Sequence, residues 1–394
     1  MRVLSLSTLY PNAADPRFGT FVARSLEALA ARGDWHVTLL NPIGLPPVTF
    51  GRYRALAQAA VGGIEHGVEV HRPLFRMIPR FGGRWNPALI ARAALPLAQR
   101  LHAERPFDMV DAQFFWPDGP AAARIARALG LPLSIKARGA DIHYWGAKPW
   151  ARKAMLAAAQ EAAGLLAVSA ALADDMAALG MARGKIAIHY TGLDRDLFRP
   201  LQHDGLRARV ATEFDIALGG GPLFATVGAL IARKGQELAI RALADLPEGD
   251  LLLVGKGPDK ARLRELADSL DLAKRVHFLG SVDHRRLPVI LSAADAMVLP
   301  SASEGLANAW VEALACGTPI VIADAGGARE VVTGPDAGRI VPRDPAAIAE
   351  ALRELLADPP PRERVAEYAA RFDWRVNAAA LAEYYETIIN NRST

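Results

Sequence analysis

Short apolar runs alternate with Ala-rich stretches of helical spacing along most of this chain, and few architectures accept that alternation. In the first half, Val3–Ser7, Val37–Leu40, Met109–Ala112, Leu133–Lys136 and Leu165–Val168 read as buried strands. Phe21–Arg32 reads as a helix, with apolar residues at 22, 26 and 29 and Gly33 as its stop. The second half repeats the grammar. Leu223–Val227, Leu251–Val254, Val276–Phe278, Ala296–Leu299 and Ile320–Ala323 are strands, with helices over Gln236–Leu246 and Pro258–Ser269. Strands alternating with helices predict a parallel sheet covered on both faces. Gly, Pro and charged residues collect at Gly192–Gly221. The sequence therefore predicts two tandem doubly wound Rossmann-like α/β domains, 1–195 and 196–375, facing a cleft. An amphipathic helix over about 376–394 is expected to pack back on the first domain. Ligands of such sheets bind at the carboxyl ends of the strands, which makes the cleft the expected site.

Composition narrows the class. Apolar residues make up 51% and charged residues 22%, which excludes wholesale disorder. No apolar run reaches the ~18–20 residues that span a bilayer. Met1–Leu6 reads as a first buried strand, not a signal peptide. One cysteine, Cys316, excludes an internal disulfide and a Cys-rich zinc site, and reads as a buried small hydrophobe. The expectation is a cytoplasmic protein, soluble or attached to a surface. Residues 1–200 carry a balance of +9 and the rest −5, so the first half is expected to meet an anionic surface or substrate.

Three segments carry chemistry. In Ser301–Pro319, a loop with Glu304 and Gly305 leads into a helix that Asn308 is expected to cap and that Gly317 and Pro319 stop. Its N-terminal amides suit a phosphate. Glu304 and Glu312 stand eight positions apart, ~12 Å along a continuous helix. With Glu304 in the loop, both face one ligand. Carboxylates accept from hydroxyls, which suits a sugar or ribose. In the second segment, Val227-Gly228-Ala229 ends a strand, and Arg233 and Lys234 follow in the loop. Both cations bind phosphate. In the third, Val254-Gly255-Lys256-Gly257 offers a glycine pair that lets a ligand approach the backbone. It lacks the third glycine of the dinucleotide fingerprint, and no acid ends the next strand, which counts against a nicotinamide enzyme.

Together these segments resemble the retaining glycosyltransferases of family 4, with the two-domain GT-B fold. The Glu–seven residues–Glu pattern from Glu304 to Glu312 is the hallmark. Ala167-Val-Ser169, Tyr190–Pro200, Phe278–Val282 and Gly326-Gly327-Ala-Arg-Glu330 fit as well, so the resemblance covers nearly the whole chain. It implies transfer of a hexose from a nucleotide-diphosphate sugar to a saccharide or lipid-linked acceptor, in cell-surface polysaccharide or glycolipid biosynthesis. The second domain would bind the donor. Glu312 would hold the ribose and Glu304 the transferred sugar. The amides of Leu306, Ala307 and Asn308 would face the diphosphate, with Gly228, Gly255, Gly257, Leu279, Val282 and Gly305 also on the donor side. Lys234, with Arg233, would stabilise the departing diphosphate, so that neither a metal nor a cofactor is expected. Two positions depart from the family. Ala229 stands where an Arg often follows the glycine, and Arg138 replaces the His of a His-Gly-x-Asp stretch.

The first domain would take the acceptor through Gly19, Trp116, Arg138, Asp141 and His143. Arg138 suits a phosphate or sugar oxygen, and equally a salt bridge with Asp141. The other histidines, His36, His66, His71, His102, His189, His203, His277 and His284, are scattered, and no metal site is expected. Asp194 and Asp196 read as hinge capping residues. Arg72–Trp85 mixes four arginines (72, 76, 80 and 84) with Phe75, Phe81 and Trp85 and has no acid. That composition suits an anionic membrane surface. It also suits a loop packed on its own core or a nucleic acid; the reading taken is the membrane, with no nucleic acid as partner. Two functional alternatives stay open: a sugar-nucleotide epimerase of the same fold, and an inactive nucleotide-sugar-binding module.

Overall fold

The computed structural model describes residues 1–78, 82–202 and 204–391. Arg80, Phe81 and His203 lie outside the described residues. The chain divides into two compact units. One is Met1–Gly192 with Trp374–Thr394, and the other is Leu193–Asp373.

The first unit holds β1 (Arg2–Leu6), β2 (His36–Leu40), β3 (Ile43–Leu45), β4 (Gly63–Glu65), β5 (Val68–His71), β6 (Leu74–Arg76), β7 (Met109–Ala112), β8 (Leu133–Ala137), β9 (Gly164–Ala167) and β10 (Ile186–Ile188). Eight form a sheet in the order β10-β9-β8-β7-β1-β2-β5-β4. Every pair is parallel except β4 with β5. The chain starts in the middle at β1, winds outward through β2 and β5, and returns beside β1 as β7. Burial drives this pattern: β7, β8 and β9 are buried at every position, as strands covered on both faces must be.

The segment after β2 departs from the sequence reading. The hairpin β4–β5 turns at His66 and Gly67, both with positive φ, and β3 pairs with β6 in a separate two-stranded sheet. Arg72 is therefore not an exposed cation. It is buried, and its guanidinium holds Glu65 at 2.6 Å and the carbonyl of Pro11 at 3.0 Å. Phe75 is buried in the core with Met77 packed against it. A carboxylate seven positions upstream neutralises the first of the four arginines, so Arg72 offers no charge to a surface.

The last helix, Trp374–Asn390, belongs to this unit and crosses the helix Thr20–Ala30. Tyr385 meets Trp35 with ring centroids 5.6 Å apart. Gly192 lies flush against the Trp374 indole, where a Cβ would come within 2.0 Å of a ring atom. Below that contact, the Asn377 carbonyl accepts from His189 Nε2 at 2.9 Å, and the Asn377 amide donates to the carbonyl of Tyr190 at 2.6 Å. The other imidazole nitrogen, Nδ1, faces Lys136 Nζ at 2.5 Å.

The second unit holds β11 (Leu223–Val227), β12 (Asp250–Val254), β13 (Val276–Gly280), β14 (Ala296–Leu299), β15 (Ile320–Ala323) and β16 (Gly338–Val341). They form one parallel sheet in the order β13-β12-β11-β14-β15-β16. Strand order reverses between β11 and β14, so the helices that follow these two neighbours pack on opposite faces of the sheet while their loops lie side by side at the carboxyl ends. The core is aliphatic, with Leu251, Leu253, Ile240 and Val298 among its members.

Burial pushes the His189 imidazole well below the ordinary histidine range, and Lys136 pushes it further the same way. The folded chain thus keeps His189 neutral, while the unfolded chain takes up a proton near pH 6.5. Stability must fall as pH drops below about 6.5, by up to about 1.4 kcal/mol per pH unit from this group. We predict that His189→Gln, which retains a donor and an acceptor, flattens the decline of Tm between pH 7 and pH 5. An unchanged slope would contradict this account of the network.

Candidate active site

The second unit's reversal point brings together two loops far apart in sequence. After β11, Gly228 leads into the turn Ala232–Lys234. After β14, Pro300–Ala307 leads into the helix Asn308–Ala315. Backbone contacts bind the loops. The Ala302 N–H donates to the Arg233 carbonyl at 2.8 Å. Gly235, at φ 76, lies so close to the Pro300 carbonyl that a Cβ would come within 2.5 Å of it. Side chains finish the join: Lys234 Nζ lies 2.5 Å from Glu304 Oε1, and Arg233 Nη1 lies 3.4 Å from the same oxygen. Arg233 also donates to the Ser303 carbonyl. The Lys234 side chain is 14% exposed and that of Glu304 9%, so the pair is largely withdrawn from water. Two cations and one carboxylate leave a net positive charge at the carboxyl end of the sheet.

Two glycine loops hold this arrangement in place. Gly326, at φ 53, packs against the Glu304 carbonyl, where a Cβ would come within 2.2 Å, and the Gly327 N–H donates to the Gly305 carbonyl at 2.8 Å. The left-handed residue here is Gly326. Gly255 and Gly257 serve likewise. A Cβ on Gly255 would meet the Gly228 carbonyl at 1.9 Å, and one on Gly257 the Leu230 carbonyl at 2.1 Å. The glycine pair after β12 therefore lets the neighbouring Gly228–Leu230 loop approach. Leu279 lies near the end of β13 and Val282 in the loop that follows it, both half-buried.

Asn308 is not the helix cap. Ala307 holds that position without a side-chain cap bond, and Asn308 is the first helical residue. Leu306 and Ala307 are buried, and the first amides of the helix have no partner within it. At the other end Gly317, at φ 75, follows Cys316, which is buried; burial pushes its thiol up to about 12. Glu312 lies one turn into the helix with its side chain 10% exposed, and its Oε1 receives His284 Nε2 at 2.9 Å. Sequence reasoning passed over His284. The signal was Asp283, which caps the turn His284–Arg286 by accepting the Arg285 N–H at 2.9 Å. A capped turn at the carboxyl side of β13 belongs among ligand loops.

The residues named in the first unit are brought together only in part. Gly19, at φ 69, starts the helix Thr20–Ala30. Arg138 lies over the Phe21 ring at 4.8 Å, beside that start. Its guanidinium donates to the Gln113 carbonyl at 2.8 Å and the Gln113 side chain at 2.7 Å, in place of a hydrogen bond to Asp141. Asp141 is buried and accepts the N–H groups of Phe115, Arg138, Gly139 and Ile142, so it fixes the loop after β8. His143 turns outward to Asp175 at 2.9 Å. Trp116 is buried, with its ring centroid 5.9 Å from that of Trp145 and 5.2 Å from that of Trp150. Nearby, Asp118 accepts from Thr8 twice and is pushed up to about 7 by burial.

The chain matches two family profiles: glycosyl transferases group 1 over residues 213–372, and glycosyltransferase family 4 over residues 19–197. It is 28% identical to a Bacillus subtilis protein, TuaC, named as a teichuronic acid biosynthesis glycosyltransferase, over 98% of this chain and 99% of that one. It is 31% identical to a D-inositol 3-phosphate glycosyltransferase of Catenulispora acidiphila, over 77% of this chain and 79% of that one. Its fold matches the crystal structure of Anabaena HepE in complex with UDP, at a TM-score of 0.74 and 22% identity, over 98% of this chain and 100% of that one. Profiles, relatives and fold agree: the chain belongs to the family 4 glycosyltransferases, with the GT-B fold.

Proposed function

We propose that this glycosyltransferase moves a hexose from a nucleotide-diphosphate sugar, with retention and without a metal, to a saccharide or lipid-linked acceptor of a cell-surface polysaccharide or glycolipid. The observation that carries the reading is the convergence of Arg233, Lys234 and Glu304 at the reversal point of the second unit's sheet. A diphosphate needs cations and a sugar needs hydroxyl acceptors, and this triad supplies both within one ion pair. The amides of Gly305, Leu306, Ala307 and Asn308 face the diphosphate. Gly228, Gly255 and Gly257 shape the surrounding loops, Leu279 and Val282 belong to the donor side, and Glu312 takes the ribose hydroxyls.

In the reaction, the bond from the anomeric carbon to the phosphate oxygen breaks. A bond from the acceptor oxygen forms on the same face. The acceptor's proton passes to the departing phosphate oxygen, while Lys234 and Arg233 stabilise the charge that develops there. Glu304 releases Lys234 to the diphosphate and holds the sugar. The first unit binds the acceptor, with Gly19 and Arg138 closest to that role, and the protein works on the cytoplasmic face of the membrane. The likeness to a protein named for teichuronic acid biosynthesis supports a surface-polysaccharide acceptor. Among the described residues, no helix is long and apolar enough to cross a membrane. Attachment would rest on exposed groups such as Arg76, Ile78, Arg84 and Trp85.

Glu304→Gln and Lys234→Ala are each expected to lower transfer by ~10²-fold or more without loss of fold, as removal of one preorganised group does. Steady-state assay beside a thermal melt checks this, and normal turnover by a folded Lys234→Ala protein would remove the lysine from the mechanism. Activity should persist in excess chelator, since no three His, Cys, Asp or Glu side chains gather as ligands among the described residues. Loss of turnover that a divalent ion restores would refute that. The protein should sediment with anionic vesicles at low salt, and replacing Arg76 and Arg84 by Ser should weaken this, at about 1 kcal/mol per cation. No sedimentation at low salt would detach the acceptor from the membrane.

A further inference from the structure

We infer that His284 is a positioning residue for the ribose of the nucleotide: it holds the Glu312 carboxylate in the orientation that receives the ribose hydroxyls. The inference rests on the reading of Glu312 as the ribose acceptor. Glu312 projects from a helix with a nearly buried carboxylate, and the imidazole that meets it is 60% exposed. A single rotatable carboxylate at the edge of solvent would sample several orientations. His284 removes that freedom. Its Nε2 lies 2.9 Å from Oε1, so Nε2 carries the proton and donates. Oε1 is thereby engaged, and Oε2 is left as the oxygen that accepts from the ribose.

The imidazole is itself held from three sides. The Asp283 carboxylate caps the turn that carries it. Its ring leans on buried Phe198, with centroids 4.9 Å apart. Two positions on, Arg286 is bound to Glu213 and lies over the Phe214 ring at 4.5 Å. The turn is thus fixed by three separate contacts whose common outcome is the place of one ring against one carboxylate. A solvated surface ion pair requires no such scaffold. Fixing the carboxylate before the nucleotide arrives lowers the ordering cost of binding.

The test uses the full chain and four probes: UDP, GDP and their 2′,3′-dideoxy counterparts, with affinities by calorimetry. The wild-type protein should prefer the ribose form of whichever diphosphate it binds. His284→Ala should lose most of that preference, by about tenfold in affinity for the ribose form and little for the dideoxy form. His284→Gln, which keeps a donor, should retain it. Glu312→Ala should abolish the preference, and adding His284→Ala to it should cost nothing more. Equal losses on ribose and dideoxy probes, or full preference in His284→Ala, would overturn the assignment of His284. Preference that survives Glu312→Ala would instead overturn the ribose reading of Glu312, and the inference with it.

Discussion

The Lys234–Glu304 ion pair is the contact on which the rest of the site depends. It joins side chains 70 positions apart, and it exists because β11 and β14 are neighbours in the sheet although β12 and β13 lie between them in sequence. Parallel strands need crossover connections, and a doubly wound order places the two loops of the reversal point side by side. Backbone contacts lock the loops as well as the charges do: Ala302 to Arg233, Gly235 against Pro300, and Gly326 against Glu304. This matters for chemistry, because donors aimed by the scaffold need no reorganisation when charge develops on a leaving group.

The first unit treats charge differently. Its buried polar groups are largely spent on the fold. Asp141 holds four backbone amides, Asp118 ties Thr8 to the helix beside β7, and Arg72 satisfies Glu65 and Pro11. His189 and Lys136 connect the sheet to the returning helix through Asn377. Unpaired groups at these depths would each cost several kcal/mol, on the order of the whole margin of stability. Of the residues first read as facing an acceptor, Gly19 and Arg138 stay beside each other near Phe21, whereas Asp141 and Trp116 are buried.

Much of this was legible in the chain. Met109–Ala112, Leu223–Val227, Ala296–Leu299 and Ile320–Ala323 have the predicted limits, because buried strands carry a mostly apolar signal that stands out even around Asp111 and Thr226. Glu304, Glu312 and Lys234 were legible through spacing and through the strands before them. Other features were not. The hairpin β4–β5 and the pairing of Arg72 with Glu65 depend on a short edge segment with weak alternation. The helix start shifted by one residue at Asn308, since nothing in the sequence ranks it against Ala307 once tertiary packing decides the entry angle. Glycines 255 and 257 showed that the backbone there allows a close approach, but not that a neighbouring loop makes one. Asp283 marks the turn that carries His284, but the partner was not legible, because the contact runs from that turn to a helix after a different strand and leaves no local periodicity.

The central claim is that the second unit's reversal point is a preformed nucleotide-diphosphate site. Hydrogen exchange measured by mass spectrometry on the full chain, with and without saturating UDP or GDP, tests it most directly. The account predicts added protection confined to peptides spanning 228–236, 255–257, 279–284 and 304–312. Protection centred within residues 1–192, or none with either nucleotide, would contradict it.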